Sequence, residues 1–206
     1  MPFLVFDLEM TGTEPGWSEV IQIGAVLYDD QWNDISRYLQ NVYPENEESY
    51  SLVSEEVHGI TLAELEEAPM MSEVLPDFED WIIDELNWRH KVDQGVPRTK
   101  LLKNVLLCGQ SVVNDINFLK FAYRQEKMDW PFSFRMLDLQ SLSFFVFDVL
   151  RKNGKKVPQK YNLDAIAGYF GLERETNEHN ALEDAELTAS AIIEVFKLGD
   201  KMQVEA

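Results

Sequence analysis

The chain has 206 residues and a formal net charge of −19 at pH 7, and 45% of its residues are hydrophobic. This length suits one domain, 1–206, and the apolar content is sufficient for a sizeable core without disulfide or metal staples. The acidic balance argues against a protein that holds nucleic acid by positive charge over its whole surface, although clustered carboxylates can bind divalent cations locally.

The first third of the chain has the pattern of a three-stranded meander. Segment 3–9 is apolar and then alternates acidic and apolar residues, and 20–28 and 35–42 are further β-rich runs. Glycine and proline in 11–16 indicate a turn, and 44–51 is an acidic loop. We therefore expect three neighbouring strands before the first long helix.

Helical and extended segments alternate through the rest of the chain. Apolar residues recur at helical spacing from about 71 to 90, and glycine and proline in 91–100 predict a loop. The later elements are a strand 104–109, a helix 114–126, a strand 134–139, an apolar helix to about 150, a basic loop 151–160, a helix 163–170 and a closing helix 180–198. This order predicts an α/β protein, a mixed five-stranded sheet with helices packed on it.

The composition also bears on location. The single cysteine, Cys108, ends an apolar run, so we expect a buried thiol and a reducing compartment. Asp7 and Glu9 interrupt the apolar N-terminal segment early, which is unlike a secretory signal. No run approaches the roughly 18 apolar residues of a membrane helix. We predict a cytoplasmic protein with no membrane partner.

Asp7 and Glu9 stand two residues apart on the first predicted strand, so both side chains project to the same face. Adjacent carboxylates repel each other unless a cation lies between them, and Mg²⁺ prefers oxygen ligands. The alternative is a strand end where both acids face solvent. The apolar residues around them favour a central strand and a metal site.

The start of the closing helix carries a second candidate group. Asn180 and Glu183 form a pattern that resembles a capping box, with Asn180 as N-cap. Asp184 then lies about one turn inside, near the positive end of the helix dipole. His179 precedes the cap and is free to approach a site that Asp184 helps to form. Alone, it is more simply a surface-loop histidine.

Asp115 opens a predicted helix, where an acid commonly has no role beyond stabilising the helix start. It gains meaning with the other acids. Phosphodiester hydrolysis needs an attacking water and stabilisation of charge on the phosphate and the leaving oxygen, which two metals about 3.5–4 Å apart supply. Several carboxylates can hold such a pair, and a histidine can accept the water's proton.

Three segments resemble the motifs of the DnaQ-like (DEDDh) 3′→5′ exonucleases, in the family's order. They are 6–12 (Phe-Asp-Leu-Glu-Met-Thr-Gly), 109–115 (Gly-Gln-Ser-Val-Val-Asn-Asp) and 179–185 (His-Asn-Ala-Leu-Glu-Asp-Ala). The resemblance covers nearly the whole chain. It implies an RNase H-like fold with helices on both faces of the sheet, two Mg²⁺ or Mn²⁺ ions, and release of nucleoside 5′-monophosphates from single-stranded 3′ ends.

The resemblance assigns roles residue by residue. The carboxylates that match the metal ligands are Asp7, Glu9, Asp115 and Asp184, and His179 matches the general base. The mid-chain aspartate of such enzymes often acts through a water ligand, so direct ligation is least secure for Asp115.

Four further residues match substrate-side positions of the same family. Met10, Thr11 and Gly12 match the turn that holds the terminal nucleotide. His58 and the Gly-Ile-Thr that follows it resemble a motif of the polymerase-proofreading branch. A turn histidine that packs locally is an equally good interpretation of His58.

Departures from the proofreading pattern leave the substrate open. Gln110, Ser111 and Asn114 stand where many proofreading members carry His-Asn and Phe, and here the chain is closer to oligoribonucleases. The alternative to a general exonuclease of single-stranded DNA or RNA is therefore an oligoribonuclease or an RNase that trims RNA 3′ ends. A non-catalytic nucleic-acid-binding module is disfavoured, because all five positions of the cluster are filled.

Segment 151–160 concentrates positive charge in an otherwise acidic chain. Its basic residues are Arg151, Lys152, Lys155, Lys156 and Lys160. The segment is either a loop that contacts phosphates of the incoming strand or a solvated connector. The pattern alone slightly favours the connector.

Overall fold

A computed structural model of the chain describes residues 1–174 and 180–201. Its centre is a five-stranded mixed sheet of order β3-β2-β1-β4-β5. The first three strands pair antiparallel, and β4 and β5 add on in parallel. The strands are β1 Phe3–Met10, β2 Val20–Tyr28, β3 Asp34–Asn41, β4 Leu106–Gly109 and β5 Met136–Asp138.

Helices cover both faces of this sheet, as expected. Besides one 3₁₀ turn at Glu47–Ser49, nine α-helices lie in the described part of the chain: α1 Leu52–His58, α2 Leu62–Leu65, α3 Met71–Glu85, α4 Arg89–Asp93, α5 Arg98–Leu102, α6 Val113–Gln125, α7 Leu139–Lys152, α8 Leu163–Tyr169 and α9 Ala181–Gly199. Helices α3 and α6 pack on one face, and α7, α8 and α9 cover the other. This architecture confirms the predicted α/β mixed sheet.

Successive side chains of β1 point to opposite faces of the sheet, which explains why two cores form. Leu4, Phe6 and Leu8 point to the core under α3 and α6, whereas Val5 points to the core under α9. Cys108 is fully buried in that second core, as its apolar setting predicted. Each face of the sheet is therefore closed by its own set of helices.

The predicted helix 71–90 and loop 91–100 were wrong in detail. Helix α3 ends at Glu85, and Asn87 adopts a left-handed backbone with φ 56° that stops the helix. Two short helices, α4 and α5, occupy the expected loop. Helices α1 and α2 were also not predicted. Four to seven residues are too few for a periodic apolar pattern to be visible.

Other boundaries shift by a few residues. Strand β4 begins at Leu106 and β5 spans only Met136–Asp138. Helix α7 continues to Lys152, so the first two basic residues of 151–160 belong to a helix. Within the described residues, no helix is long and apolar enough to cross a bilayer.

Candidate active site

Three carboxylates converge where β1 meets the start of α9. Asp7 and Glu9 project from the same face of β1, and Asp184 lies in the first turn of α9. One oxygen from each of the three lies within 4.8 Å of the other two. Glu9 and Asp184 are almost fully buried. Such a set of close oxygen ligands fits a hard divalent cation.

The electrostatics of this cluster also favour a cation. Burial raises the pKa of Asp7 well above its usual range, and the nearby charges of Asp115, Glu9 and Asp184 raise it further. Burial, then Asp184 and Asp115, raise the pKa of Glu9 to about 8. Carboxylates that repel each other in a desolvated site are stabilised when a metal neutralises them.

Asp115 lies beside the cluster but outside the three-oxygen group. It sits in the first turn of α6 and is 5% exposed. Burial raises its pKa to about 7, against the lowering effect of a backbone hydrogen bond. Its charge acts on both Asp7 and Glu9. The family resemblance made Asp115 the least secure direct ligand, and its position outside the three-oxygen group suits a contact to a metal through water.

Arg174 contacts the cluster, although no motif in the sequence pointed to it. Its Nε and Nη2 donate to the two oxygens of Asp184 at 2.6 and 3.0 Å, while Nη1 donates to Asp164 at 2.6 Å. The guanidinium partly offsets the negative charge, and it lowers the pKa values of Asp7 and Glu9 against the stronger raising effects. A bidentate pair of this kind also fixes the orientation of the carboxylate.

The start of α9 is held by its cap and by β2. Asn180 Oδ1 accepts from the backbone N–H groups of Leu182 and Glu183, which confirms Asn180 as the N-cap. The Ala181 N–H donates to Gln22 Oε1 at 3.0 Å, and Gln22 Nε2 donates to Asn41 Oδ1 at 2.8 Å. Through these hydrogen bonds, the buried Gln22 amide connects the start of α9 to β2 and β3.

Gly24 permits this close contact between strand and helix. It pairs with Asp7 across the sheet, so both face the helix. A Cβ at Gly24 would lie 2.1 Å from Ala181 C and from Leu182 N. The absent side chain thus sets how near the first turn of α9, and with it Asp184, approaches β1.

The predicted substrate residues are Met10, the last residue of β1, and Thr11 and Gly12 in the turn that follows. Thr11 is fully buried, and its Oγ1 accepts from the Glu19 N–H at 2.9 Å and lies 2.8 Å from Ser49 Oγ. A Cβ at Gly12 would meet Ser18 Oγ at 2.6 Å. Thr11 and Gly12 therefore shape the turn, which lies at the end of the strand that carries Asp7 and Glu9.

His58 is buried at the end of α1, and one of its two ring nitrogens already accepts a hydrogen bond. Its Nδ1 accepts from the Ile60 N–H at 3.1 Å, so the neutral ring carries its proton on Nε2. Burial lowers the pKa of His58. Nε2 has no partner among the described residues. His58 lines a cavity of about 640 Å³ that Arg174 and the start of α9 also border. His179 lies outside the described residues.

The raised carboxylate pKa values predict how stability depends on pH without metal. Between about pH 4 and pH 8 these carboxylates bind more protons in the folded chain than in the unfolded chain, so their contribution to stability is greatest at the acidic end and falls as pH rises. In EDTA, we expect the melting temperature to fall from about pH 5 to pH 8, and to fall less in Glu9→Gln. An exposed control, Glu85→Gln, should follow wild type. A wild-type melting temperature that rises over this range would contradict the prediction.

Comparison with known proteins agrees with the geometry. The family model RNase_T, described as Exonuclease, matches residues 4–192. The epsilon subunit of DNA polymerase III from Aquifex aeolicus is 30% identical over 197 residues, which cover 95% of this chain and 80% of that protein. A PolC-type DNA polymerase III from Thermotoga petrophila is 26% identical over 203 residues, but the match covers only 12% of it.

Solved structures share the fold. The nuclease domain of 3′hExo, a DEDDh family member bound to rAMP, superposes with a TM-score of 0.72 at 18% identity, over 100% of this chain and 96% of that one. Exonuclease I of E. coli in complex with a dT13 oligonucleotide superposes with a TM-score of 0.72 at 19% identity, over 97% and 43%.

Proposed function

We propose that this chain, which belongs to the RNase_T exonuclease family, is a DEDDh-type 3′→5′ exonuclease. It would hydrolyse the terminal phosphodiester bond of single-stranded DNA or RNA and release nucleoside 5′-monophosphates. The observation that carries this proposal is the convergence of Asp7, Glu9 and Asp184 within 4.8 Å, next to the buried Asp115. The match to the family model over nearly the whole chain supports 1–206 as one exonuclease domain.

The four acidic residues would bind the metals in two different ways. Asp7, Glu9 and Asp184 would hold two Mg²⁺ or Mn²⁺ ions directly, and Asp115 would contribute through water. When bound, the ions supply positive charge that stabilises the phosphate oxygens and the departing 3′ oxygen. Arg174 keeps the Asp184 carboxylate oriented through its two hydrogen bonds.

His179 acts as the general base, taking the proton from the attacking water. It stands directly before Asn180, and the capped start of α9 fixes where the chain enters the helix. On the substrate side, Met10 at the end of β1 and Thr11 and Gly12 in the turn after it hold the terminal nucleotide. His58 Nε2–H is a donor that borders the same cavity as Arg174, which suits contact with the substrate.

The proposed chemistry fits both DNA and RNA as the substrate. The related structures include one bound to rAMP and one in complex with dT13, so both sugars occur in this fold. A short-oligoribonucleotide or RNA 3′-end trimming activity is the competing proposal, supported by Gln110, Ser111 and Asn114. The filled acidic cluster disfavours a role limited to binding.

The test is hydrolysis of 5′-labelled DNA, RNA and dinucleotide with Mg²⁺ or Mn²⁺. We expect ladders that shorten from the 3′ end and mononucleotide products, with no cleavage in EDTA. A blocked 3′ end should be resistant. In the same assay, the rise of kcat/KM with pH through the histidine range should disappear in His179→Ala. Internal cleavage, or metal-independent hydrolysis, would overturn the proposed function.

A further inference from the structure

The surface around α7 combines positive charge with exposed aromatic rings. Residues 151–160 hold five of the chain's 18 lysines and arginines and no Asp or Glu. Phe144 and Phe145 on α7 are 62% and 65% exposed. Adjacent exposed apolar side chains, beside polar ones, are typical of an interaction surface.

The lysines of this surface are available for a ligand. Lys155, Lys156 and Lys160 are exposed and make no ion pair within the described part of the chain. Lys152, by contrast, is 2.7 Å from Asp148, four residues earlier on α7. Three positive charges therefore stand uncompensated in a protein of net charge −19. This concentration favours a polyanion over a protein partner.

Tyr161 connects the basic segment to the candidate active site. Its carbonyl accepts from Gln110 Nε2 at 2.8 Å, and its hydroxyl accepts from Arg151 Nη2 at 3.2 Å. The Phe144 ring lies 5.5 Å from the Tyr161 ring. Since Gln110 directly follows β4, five residues before Asp115, the segment is held next to the start of α6.

Two neighbouring clefts connect the end of the basic segment at Lys160 with the exposed ring of Phe145. One cleft of about 560 Å³ is lined by Lys160 and Tyr161, and another of about 620 Å³ is lined by Phe145. They meet at Ser111 and Gln140, whose side chains hydrogen-bond at 2.6 Å. The clefts thus run from the basic segment past the helix that carries Asp115.

We propose that this basic–aromatic surface, defined as Phe144, Phe145, Lys155, Lys156 and Lys160, binds the single strand upstream of the bond that is cut. The lysines contact backbone phosphates, and the two phenylalanines stack on unpaired bases. The orientation of the strand rests on the proposed function. A duplex is not expected, because paired bases do not offer their faces for stacking.

The test is equilibrium binding of fluorescein-labelled dT and U oligomers of about 20 nucleotides, by anisotropy in EDTA and low salt. The Lys155→Gln, Lys156→Gln, Lys160→Gln triple variant should raise Kd about tenfold. Its slope of log Kd against log salt should fall by about two, at roughly 0.7 per lost phosphate contact. A control triple variant, Lys100→Gln, Lys103→Gln, Lys127→Gln, removes equal charge elsewhere and should bind like wild type.

A second variant separates stacking from charge. Phe144→Ser with Phe145→Ser should weaken binding by about tenfold and leave the salt slope unchanged. Because both rings are largely exposed, the melting temperature should stay near wild type. Equal losses in the two lysine triples, unchanged binding, or no binding by wild type would each overturn the proposed surface and point to a protein partner there.

Kinetics distinguish failure of this proposal from failure of the proposed function. The Lys155→Gln, Lys156→Gln, Lys160→Gln triple variant should raise KM for the long oligomer about tenfold. It should change KM for a dinucleotide less than about twofold. Equal effects on both lengths overturn the surface and leave the exonuclease proposal standing. Oligomer binding that depends on the surface, in a chain that hydrolyses nothing, supports the surface and overturns the proposed function.

Discussion

Replacing Asp7 by asparagine should lower kcat/KM by about a thousandfold or more. Metal charge in the transition state contributes several kcal/mol, and each 1.36 kcal/mol is a factor of ten in rate. Asp7 lies at the centre of the acidic cluster, where its pKa is raised by burial and by three neighbouring carboxylates. An amide keeps the shape of the side chain but is a poorer metal ligand than a carboxylate. Steady-state hydrolysis of a labelled oligonucleotide measures the loss.

The same variant should be more stable than wild type when metal is absent. Removing one of several repelling buried charges relieves the cost of holding the cluster together, so the melting temperature in EDTA near pH 8 should rise. The increase in melting temperature that Mn²⁺ gives wild type should be lost. The exposed control Asp129→Asn should match wild type in each measurement. An Asp7→Asn protein with near-normal activity is incompatible with the proposed metal site.

Replacing Gly24 by alanine should impair both stability and activity. The added Cβ would lie 2.1 Å from backbone atoms of Ala181 and Leu182, so the first turn of α9 must move. Overpacking of this kind typically costs about 1–3 kcal/mol, and each kcal/mol lowers the melting temperature by about 2–4 °C in a chain of this size. Displacement of Asp184 by about 1 Å should reduce kcat about a hundredfold.

Gly168 in α8 provides the matched control. Apart from its chain neighbours and the backbone of its own helix, no atom of the described residues lies within 4 Å of a Cβ built there, so Gly168→Ala tests the loss of glycine without a tertiary clash. Alanine is favoured over glycine inside a helix by about 0.5–1 kcal/mol, so its melting temperature should equal or exceed that of wild type. Wild-type activity and stability in Gly24→Ala would show that α9 is not held by this contact.

Local patterns explain which parts of the fold were predictable. The segments β1, β2, α6 and α9 are long enough to repeat their apolar spacing, and the Asn180 cap marks the start of α9. Short elements such as α4 and α5 span five residues each, too few for a period to show. The glycine and proline residues near them therefore predicted a single loop over 91–100.

The residues of the candidate site were likewise predictable only in part. Asp7 and Glu9 were recognisable because one strand places both on one face. Arg174, Gln22 and Gly24 were missed, since their roles depend on contacts that join distant parts of the chain. The Ala181–Gln22 hydrogen bond, for example, joins residues 159 apart in sequence. No spacing rule along one segment can reveal such a partner.

The docking of α9 on β2 has a consequence for biosynthesis. The strands that carry Asp7, Glu9, Gln22 and Gly24 emerge from the ribosome well before Asp184 and the helix α9 that packs on them. A growing chain therefore has Asp7 and Glu9 without their third carboxylate. We expect nuclease activity to begin only when α9 has been synthesised and packed, so the nascent chain should be unable to cut nucleic acid while it is still being translated.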